Sequence, residues 1–372
     1  MTQNRNFDVY LDFGSSKIRA AAISKNSTFK NFHYESEFFS DYKNLESKID
    51  KIIVNVEKDT KEYLDSINLM MDSSEMLSVN LSISKKFDKS KLKKEDIQFL
   101  IKDAKQQILR NYSNQNIIHT IIKNYKIDNV DYTFLQTDIN CNLLSIDIIF
   151  ICLPKKIIEN IKGIFFKFDV SINQIFCSSY TRSVNYKDNF TSIENIAFID
   201  VGFNRTSITH YNKNRISFFH TIPIGGNHIT KDLSKILSVD LTVAEKIKLH
   251  FDKDQNILID KNFSTELGQK IIFARIEEIL ELCVKFMKLD ENSEESKEFK
   301  MVLIGDGSRI LDNKFKEKIS FSQKIDLLEE TNQDICESAL KLSQGLNKQE
   351  VITMPKKQIK EGFFVKLFHF FR

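Results

Sequence analysis

The stretch Ile196-Ala197-Phe198-Ile199-Asp200-Val201-Gly202-Phe203-Asn204-Arg205-Thr206 joins an apolar run to an acid, a glycine and the start of a second apolar run. An apolar run that is interrupted by turn residues and then resumes predicts two strands joined by a tight hairpin. Successive backbone N–H groups in such a turn point inward and form a cradle for phosphate oxygens. The acid before the glycine is suited to hold Mg²⁺, directly or through water.

Two other segments repeat this pattern of an apolar strand followed by a glycine-containing turn. They are Leu11-Asp12-Phe13-Gly14-Ser15-Ser16-Lys17 near the start of the chain and Leu303-Ile304-Gly305-Asp306-Gly307-Ser308 near its end. A single match is weak evidence, because Asp-x-Gly is also an ordinary turn. Their order and separation in one chain indicate more: two loops that clamp one triphosphate and a third that receives the adenosine.

The second half of the chain opens like the first, which predicts two α/β domains of like topology that face one another. Between Ser84 and Leu153 a helical pattern and several strand-like runs indicate a small inserted α+β subdomain. Periodicity also predicts a helix over roughly Leu45 to Ile67. The predicted segments are 1–83 and 154–192 (first domain), 84–153 (inserted subdomain), 193–346 (second domain), 347–360 (polar linker) and 361–372 (terminal amphipathic helix).

Composition narrows the class of protein. A chain of 372 residues is too long for one comfortable core, and a net charge of +3 does not suggest a protein that coats nucleic acid. The five cysteines are dispersed without CxxC spacing, so neither a metal site nor a disulfide framework is expected, and a reducing cytoplasm fits. We find no signal peptide and no run near the ~20 apolar residues that a membrane-spanning helix needs.

Resemblance adds to this interpretation. The three loops resemble the two phosphate motifs and the adenosine motif of the actin/hexokinase/heat-shock chaperone superfamily. Ile222-Pro223-Ile224-Gly225-Gly226-Asn227-His228-Ile229-Thr230-Lys231-Asp232-Leu233 is similar to a signature of the FtsA family of bacterial cell-division proteins, as are Ala244-Glu245-Lys246-Ile247-Lys248 and the stretch 271–280. This resemblance implies an α/β, actin-like two-domain fold built from duplicated ribonuclease H-like domains, with a small inserted subdomain and a C-terminal amphipathic helix.

The resemblance also implies a site for ATP and Mg²⁺, with no residue assigned to catalysis. Asp12 and Asp200 would lie on the Mg²⁺ side of the nucleotide. The phosphates would contact Gly14, Ser15, Ser16, Lys17 and Gly202, and the ribose and base would be surrounded by Gly226, Glu245, Lys248, Gly305, Gly307 and Ser308.

Two departures from the superfamily pattern bear on this site. Phe203-Asn204-Arg205 replaces further glycines and a threonine, and bulky residues resist the left-handed backbone that such a loop can require. Asp306 replaces a usual glycine and brings a negative charge near the nucleotide. We therefore expect nucleotide binding with weak or absent hydrolysis.

The last residues of the chain form a separate motif. In a helix, Lys366, His369 and Arg372 make one polar stripe, and five basic residues stand against one acid between Val351 and Arg372. A short, basic, Phe-rich amphipathic helix is typical of segments that lie in an anionic membrane surface. A helix docked on the protein's own core and a partner-binding helix remain alternatives. The predicted membrane contacts are Phe363, Phe364, Lys366, Leu367, Phe368, Phe370, Phe371 and Arg372.

By resemblance, the chain would be a peripheral membrane tether at the cytoplasmic face of the inner membrane, at the division site. It would self-associate into filaments and bind the C-terminal peptide of FtsZ, the tubulin-like division protein, with no nucleic-acid partner. Three alternatives stay open: a pilus-assembly-type actin-like scaffold, an actin-superfamily kinase or ATPase, and a shape-determining filament. The first should lack the Phe-rich tail, and the second needs a substrate-base acid that we do not identify in the sequence.

Overall fold

A computed structural model of the protein describes residues 5–26, 29–39, 44–134, 138–250, 265–287, 299–310, 325–344 and 350. The predicted terminal helix and all of the predicted linker except Glu350 lie outside these residues. Among the described helices, none combines the length and the apolar character that crossing a membrane requires.

The first sheet has five strands in the order β3-β2-β1-β4-β9. β1, β2 and β3 form an antiparallel meander, and β4 and β9 extend the sheet in parallel on the other side of β1. The strands are β1 Phe7–Phe13, β2 Ile18–Ser24, β3 Phe32–Glu35, β4 Ser66–Met71 and β9 Ser171–Cys177.

The second sheet repeats this plan in the order β12-β11-β10-β13-β14. Its antiparallel meander and its two parallel strands match those of the first sheet, position for position. The strands are β10 Asn195–Val201, β11 Thr206–Asn212, β12 Arg215–Ile222, β13 Phe299–Ile304 and β14 Ile325–Leu327. The predicted duplication of an α/β domain is confirmed, and the β1–β2 and β10–β11 turns occupy equivalent places.

A third sheet of four antiparallel strands lies between β4 and β9 in the chain, in the order β5-β8-β6-β7. Helix α2 (Lys94–Asn111) packs on it through Ile97, Leu100 and Ala104, which share a core with the sheet. The strands are β5 Leu77–Lys91, β6 Gln115–Ile127, β7 Val130–Tyr132 and β8 Asn140–Pro154.

Helices cover both faces of the second sheet, which explains the nearly continuous apolar run of its central strand β10. Along β10, Ile196 and Phe198 join the core shared with the first sheet, whereas Ala197 and Ile199 pack in a separate core with α5 and α7. This alternation follows from the two-residue period of a strand. The helices are α1 Leu45–Thr60, α3 Lys155–Phe166, α4 Ser178–Tyr186, α5 Gly226–Leu237, α6 Leu241–His250, α7 Thr265–Met287 and α8 Asn332–Ser343.

The predicted helix over Leu45 to Ile67 ends earlier than expected. Helix α1 stops at Thr60 because Lys61 has a left-handed backbone (φ 55°). Residues 66–71 instead form β4, the strand that lies beside β1. This correction matters for the site, since Asp72 follows directly from the end of β4.

Candidate functional site

Two hairpins of the same construction face each other across a cleft. In the first hairpin, the β1–β2 turn, the Gly14 amide donates to the Lys17 carbonyl at 3.0 Å. In the second hairpin, the β10–β11 turn, the Gly202 amide donates to the Arg205 carbonyl at 2.9 Å. A Cβ on Gly14 would lie 2.7 Å from the Lys17 oxygen, so only glycine fits the first turn. None of residues 203–205 has a positive φ, so the bulky second turn forms without left-handed backbone.

The third loop follows β13 and packs against the second hairpin. Gly305 has φ +89°, and a Cβ there would lie 2.3 Å from the Asp200 Oδ1. The 3₁₀ helix Asp306–Ile310 begins directly after it, and the Ser308 hydroxyl donates to the Gly305 carbonyl at 2.7 Å. The close approach of Gly305 to Asp200 joins the second and third loops into one surface.

The structure brings all of the predicted phosphate residues to one cavity of about 60 Å³. This volume holds only a few waters, so side chains fill most of the phosphate end of the cleft. The predicted residues that line the cavity are Asp12, Gly14, Ser15, Ser16, Lys17, Asp200, Gly202 and Gly305.

The predicted ribose and base residues form an adjoining cluster. A Cβ placed on Gly226 would lie 3.8 Å from the Gly202 carbonyl and 3.9 Å from the Gly307 Cα, so Gly226 connects the second hairpin to the third loop. The buried Lys248 ammonium donates to Glu245 at 2.6 Å, Thr230 at 2.8 Å and the Gly226 carbonyl at 3.1 Å. Because these bonds account for all three ammonium donors, Lys248 holds Glu245 in place. Burial lowers the pKa of Lys248, although Glu245 opposes the shift.

Three buried arginines, Arg19, Arg182 and Arg205, also line the cavity, and sequence reasoning missed all of them as site residues. These three residues form an arginine cluster. The Arg205 Nη2 contacts Asp72, which follows β4, and lies 2.8 Å from the Asp200 Oδ2. The cluster thus links acids of the first sheet to acids of the second.

Arg182 and Arg19 pair with the remaining acids. The Arg182 Nη2 donates to Asp200 at 2.5 Å, and its Nη1 donates to both Glu330 oxygens at 2.9 and 3.1 Å. Arg19 contacts Asp306, and its Nη1 lies 3.5 Å from the Asp12 Oδ2. The charge that Asp306 brings to the third loop is therefore paired within the cleft.

Helix α4 positions two of these groups. Its first residue, Ser178, donates to the Asp12 Oδ1 at 2.6 Å, and Arg182 lies one turn further on. The backbone N–H of Cys177, directly before the helix, donates to the His119 Nε2 at 2.8 Å. The helix is almost wholly buried although its sequence is polar. It has no stripe of apolar residues from which a helix could have been predicted.

The direction of each acid's pKa shift shows whether the arginines compensate the effect of burying its carboxylate. Burial raises the pKa of Asp200, but Arg182 and Arg205 outweigh burial and the net pKa lies below its usual range. For Asp306, too, Arg19 outweighs burial and lowers the pKa. At Asp12, burial raises the pKa by more than Arg182, Arg19 and Ser178 lower it, so the net pKa lies above its usual value. Of these three acids, Asp12 is the one whose burial the neighbouring positive charges compensate least.

The arrangement of the acids does not leave them open to a metal. Across the described ranges, no group of three or more His, Cys, Asp or Glu side chains is placed to hold an ion. Mg²⁺ is often bound through only one or two carboxylates and substrate phosphates, and Asp12 with Asp200 supplies that chemistry. The Asp200 Oδ2 is taken by Arg182 and Arg205, however, and its Oδ1, buried without a hydrogen-bond partner, lies beside Gly305. Mg²⁺ would have to displace guanidinium groups.

The duplicated sheets and the three-loop cleft define a protein of the actin-like ATPase fold. A solved structure, "PilM-PilN type IV pilus biogenesis complex", has a TM-score of 0.59 at 9% identity and covers 88% of this chain and 89% of that chain. The predicted actin-like two-domain fold is confirmed.

The resemblance to FtsA is confirmed as well, because a family model described as "Cell division protein FtsA" matches residues 197–309. "Cell division protein FtsA" of Buchnera aphidicola subsp. Acyrthosiphon pisum is 24% identical over 350 residues, or 83% of each chain. The protein of that name from Helicobacter pylori (strain ATCC 700392 / 26695) is 25% identical over 139 residues, or 37% of this chain. This chain spans 28% of the length of the Helicobacter relative.

Proposed function

We propose that the chain is an ATP-binding actin homologue of the bacterial division machinery, which anchors FtsZ filaments to the inner membrane. The observation that carries nucleotide binding is the convergence of three glycine-containing loops from two duplicated sheets on one cavity. The match of the FtsA model to residues 197–309 supports the division role.

In this proposal the two hairpins hold the phosphates and the adjoining cluster around Gly226 holds the adenosine. Backbone N–H groups of the hairpins and the Lys17 ammonium supply hydrogen bonds and positive charge to phosphate oxygens. Glu245, held by Lys248, is suited to accept hydrogen bonds from ribose hydroxyls. Asp12 and Asp200, the predicted Mg²⁺ ligands, are instead engaged by the arginine cluster and, for Asp12, by Ser178. Hydrolysis is predicted to be weak or absent.

Equilibrium binding of a fluorescent ATP analogue tests the nucleotide site. Lys17, whose described ion pair is with Glu35 at 3.2 Å, is changed to Ala. Loss of one charge-assisted phosphate contact of about 1.5–3 kcal/mol predicts roughly 10- to 100-fold weaker binding. The control is Lys213→Ala, which removes an exposed pair with Glu194. Equal affinity of the two variants and the unmodified chain would exclude Lys17 as a phosphate ligand.

Membrane attachment is assigned to the terminal segment predicted as an amphipathic helix. Its Phe side chains and basic residues support reversible binding to anionic lipid, and filaments that display many tails would bind firmly by avidity. Flotation with anionic vesicles compares the full chain with a chain that ends at Lys360. The full chain should float and the shortened chain should not; equal flotation contradicts the anchor.

Binding of the FtsZ C-terminal peptide is assigned to the helices of the second domain, between residues 229 and 288. Ile236 on α5 is 55% exposed, which suits an apolar peptide contact. Ile236→Asp should weaken binding of a labelled FtsZ peptide in an anisotropy assay. Val54→Asp on α1 is the matched control, because Val54 is 52% exposed on the other domain. No peptide binding by the unmodified chain would favour the pilus-type scaffold, to which the PilM-PilN fold similarity points.

Self-association into filaments is the remaining part of the proposal. Sedimentation of the chain with and without ATP on anionic vesicles measures it. We expect more pelleted protein with nucleotide, because a ligand held by both domains fixes their relative position. A chain that stays in the supernatant under both conditions would argue for a non-polymerising tether.

A further inference from the structure

We propose that the arginine cluster is the built-in counter-ion of this cleft, so that nucleotide phosphates bind here without a divalent cation. The inference rests on the proposed nucleotide site and specifies how that site neutralises charge. Arg205 is its central residue, and the ligand class is a nucleoside di- or triphosphate.

The position of Arg205 is the first observation. It is 8% exposed, and its guanidinium lies between Asp72 of the first domain and Asp200 of the second. Its Nη1 also donates to the Asp200 backbone carbonyl at 3.4 Å. A cation held between carboxylates at the phosphate end of the cleft takes the place that a bridging metal would otherwise fill.

The charge balance of the lining is the second observation. Four acids, Asp12, Asp72, Asp200 and Asp306, face four bases, Lys17, Arg19, Arg182 and Arg205. The lining residues taken alone therefore carry no formal net charge, while Glu330 and Glu35, outside the lining, pair with Arg182 and Lys17. Without the three arginines, the same lining would repel phosphates unless a metal ion entered with them.

The small cavity is the third observation. Arg19, Arg182 and Arg205 line the same cavity as the two hairpins, so phosphates that reach the hairpins come close to the arginine side chains. A guanidinium presents five N–H donors in a planar fork, so it can hold a carboxylate on one edge and a phosphate on another. Mg²⁺ would have to enter beside three guanidinium groups, which like-charge repulsion disfavours.

The test is the affinity of the full chain for fluorescently labelled ATP and ADP, in excess Mg²⁺ and in EDTA. We expect the two dissociation constants of the unmodified protein to agree within about threefold, because the arginines need no help from a metal. Binding that weakens more than about tenfold in EDTA would overturn the inference. No binding under either condition would instead overturn the proposed nucleotide site, so the two failures are distinct.

Variants assign the effect to Arg205. Arg205→Ala should weaken binding in EDTA by about tenfold or more, and Mg²⁺ should recover much of the loss because Asp72 and Asp200 become available to the metal. An unchanged ratio of the two constants would exclude Arg205 as the counter-ion. Arg205→Ala combined with Asp72→Asn removes both partners of one ion pair and leaves no unpaired charge from it. If the single variant folds poorly, the same two dissociation constants are measured on this double variant. Arg275→Ala breaks the pair with Asp232 outside the cavity and should change neither constant.

Discussion

Replacement of Arg182 by Met removes the centre of a buried ionic network and leaves two carboxylates behind. The guanidinium makes three close contacts, one to Asp200 and two to Glu330. Breaking a buried pair by removing one partner typically costs about 3–5 kcal/mol. Asp200 retains Arg205, and Glu330 retains the Gly305 amide at 2.7 Å and the Tyr186 hydroxyl at 2.9 Å. Because these partners remain, we expect Arg182→Met to lower the free energy of unfolding by about 3 kcal/mol, the lower limit of that range.

Urea unfolding of the chain without nucleotide, followed by circular dichroism, measures this loss. Arg182→Met should lower the midpoint with little change in slope, and Glu330→Gln in the same chain should restore part of the stability because one uncompensated charge is gone. Lys167→Ala is the control, since it breaks an exposed pair with Glu46 at 2.5 Å and should change stability by at most about 1 kcal/mol. A loss below about 1 kcal/mol for Arg182→Met, or no recovery in the double variant, would refute the view of Arg182 as a buried structural charge.

Of the remaining predictions, those for Gly305, Asp12 and Asp200 concern the same cleft, and the last concerns the contact between Glu350 and His119. Gly305→Ala should lower the free energy of unfolding by more than about 1–2 kcal/mol, because the left-handed backbone of Gly305 disfavours a side chain. A Cβ at this position would also clash with the Asp200 carboxylate. Thermal unfolding measures the loss of stability. At neutral pH, Asp12→Asn should stabilise the fold, because a raised folded-state pKa makes the ionised carboxylate unfavourable above that pKa. Asp200→Asn should destabilise it, because a lowered pKa gives stability that is lost only as pH falls through the folded value. Glu350→Ala should lower the free energy of unfolding by about 1–3 kcal/mol, since Glu350 pairs with the buried His119 at 2.5 Å. Equal urea midpoints for this variant and the unmodified chain would contradict the prediction.

The backbone of the cleft could be predicted from sequence because its signals are local. Each hairpin consists of an apolar strand, an acid and a glycine within a few residues, and tight turns admit few alternatives to glycine. The same logic located the third loop, whose Gly305 has the left-handed backbone that glycine favours. Strand β4 was missed because Ser66–Met71 is only six residues long and its Ile67 was included in the helical pattern predicted from Leu45.

The charges that fill the cleft could not be predicted in this way. Arg205 and Asp72 are 133 positions apart, and Arg19 and Asp306 are 287 apart, so only the folded sheets bring them together. A buried arginine is also contrary to the usual expectation that this residue is exposed. Arg205 is recognisable in the sequence as part of the departure from the glycines expected after Gly202, but the sequence does not reveal its partners Asp72 and Asp200.

Helix α4 gives these long-range pairs a common support. Ser178 binds Asp12 of the first sheet, and Arg182 binds Asp200 of the second, so one buried helix contacts both acids before the phosphate loops. The same helix contacts Glu350, at the head of the predicted linker, through the Tyr180 hydroxyl at 3.2 Å. A ligand that draws Arg182 toward its phosphates therefore acts on a helix whose other contacts include Glu350, the described residue nearest in sequence to the predicted tail. Coupling between the cleft and the linker then requires only a small displacement of α4, because closely packed side chains transmit strain.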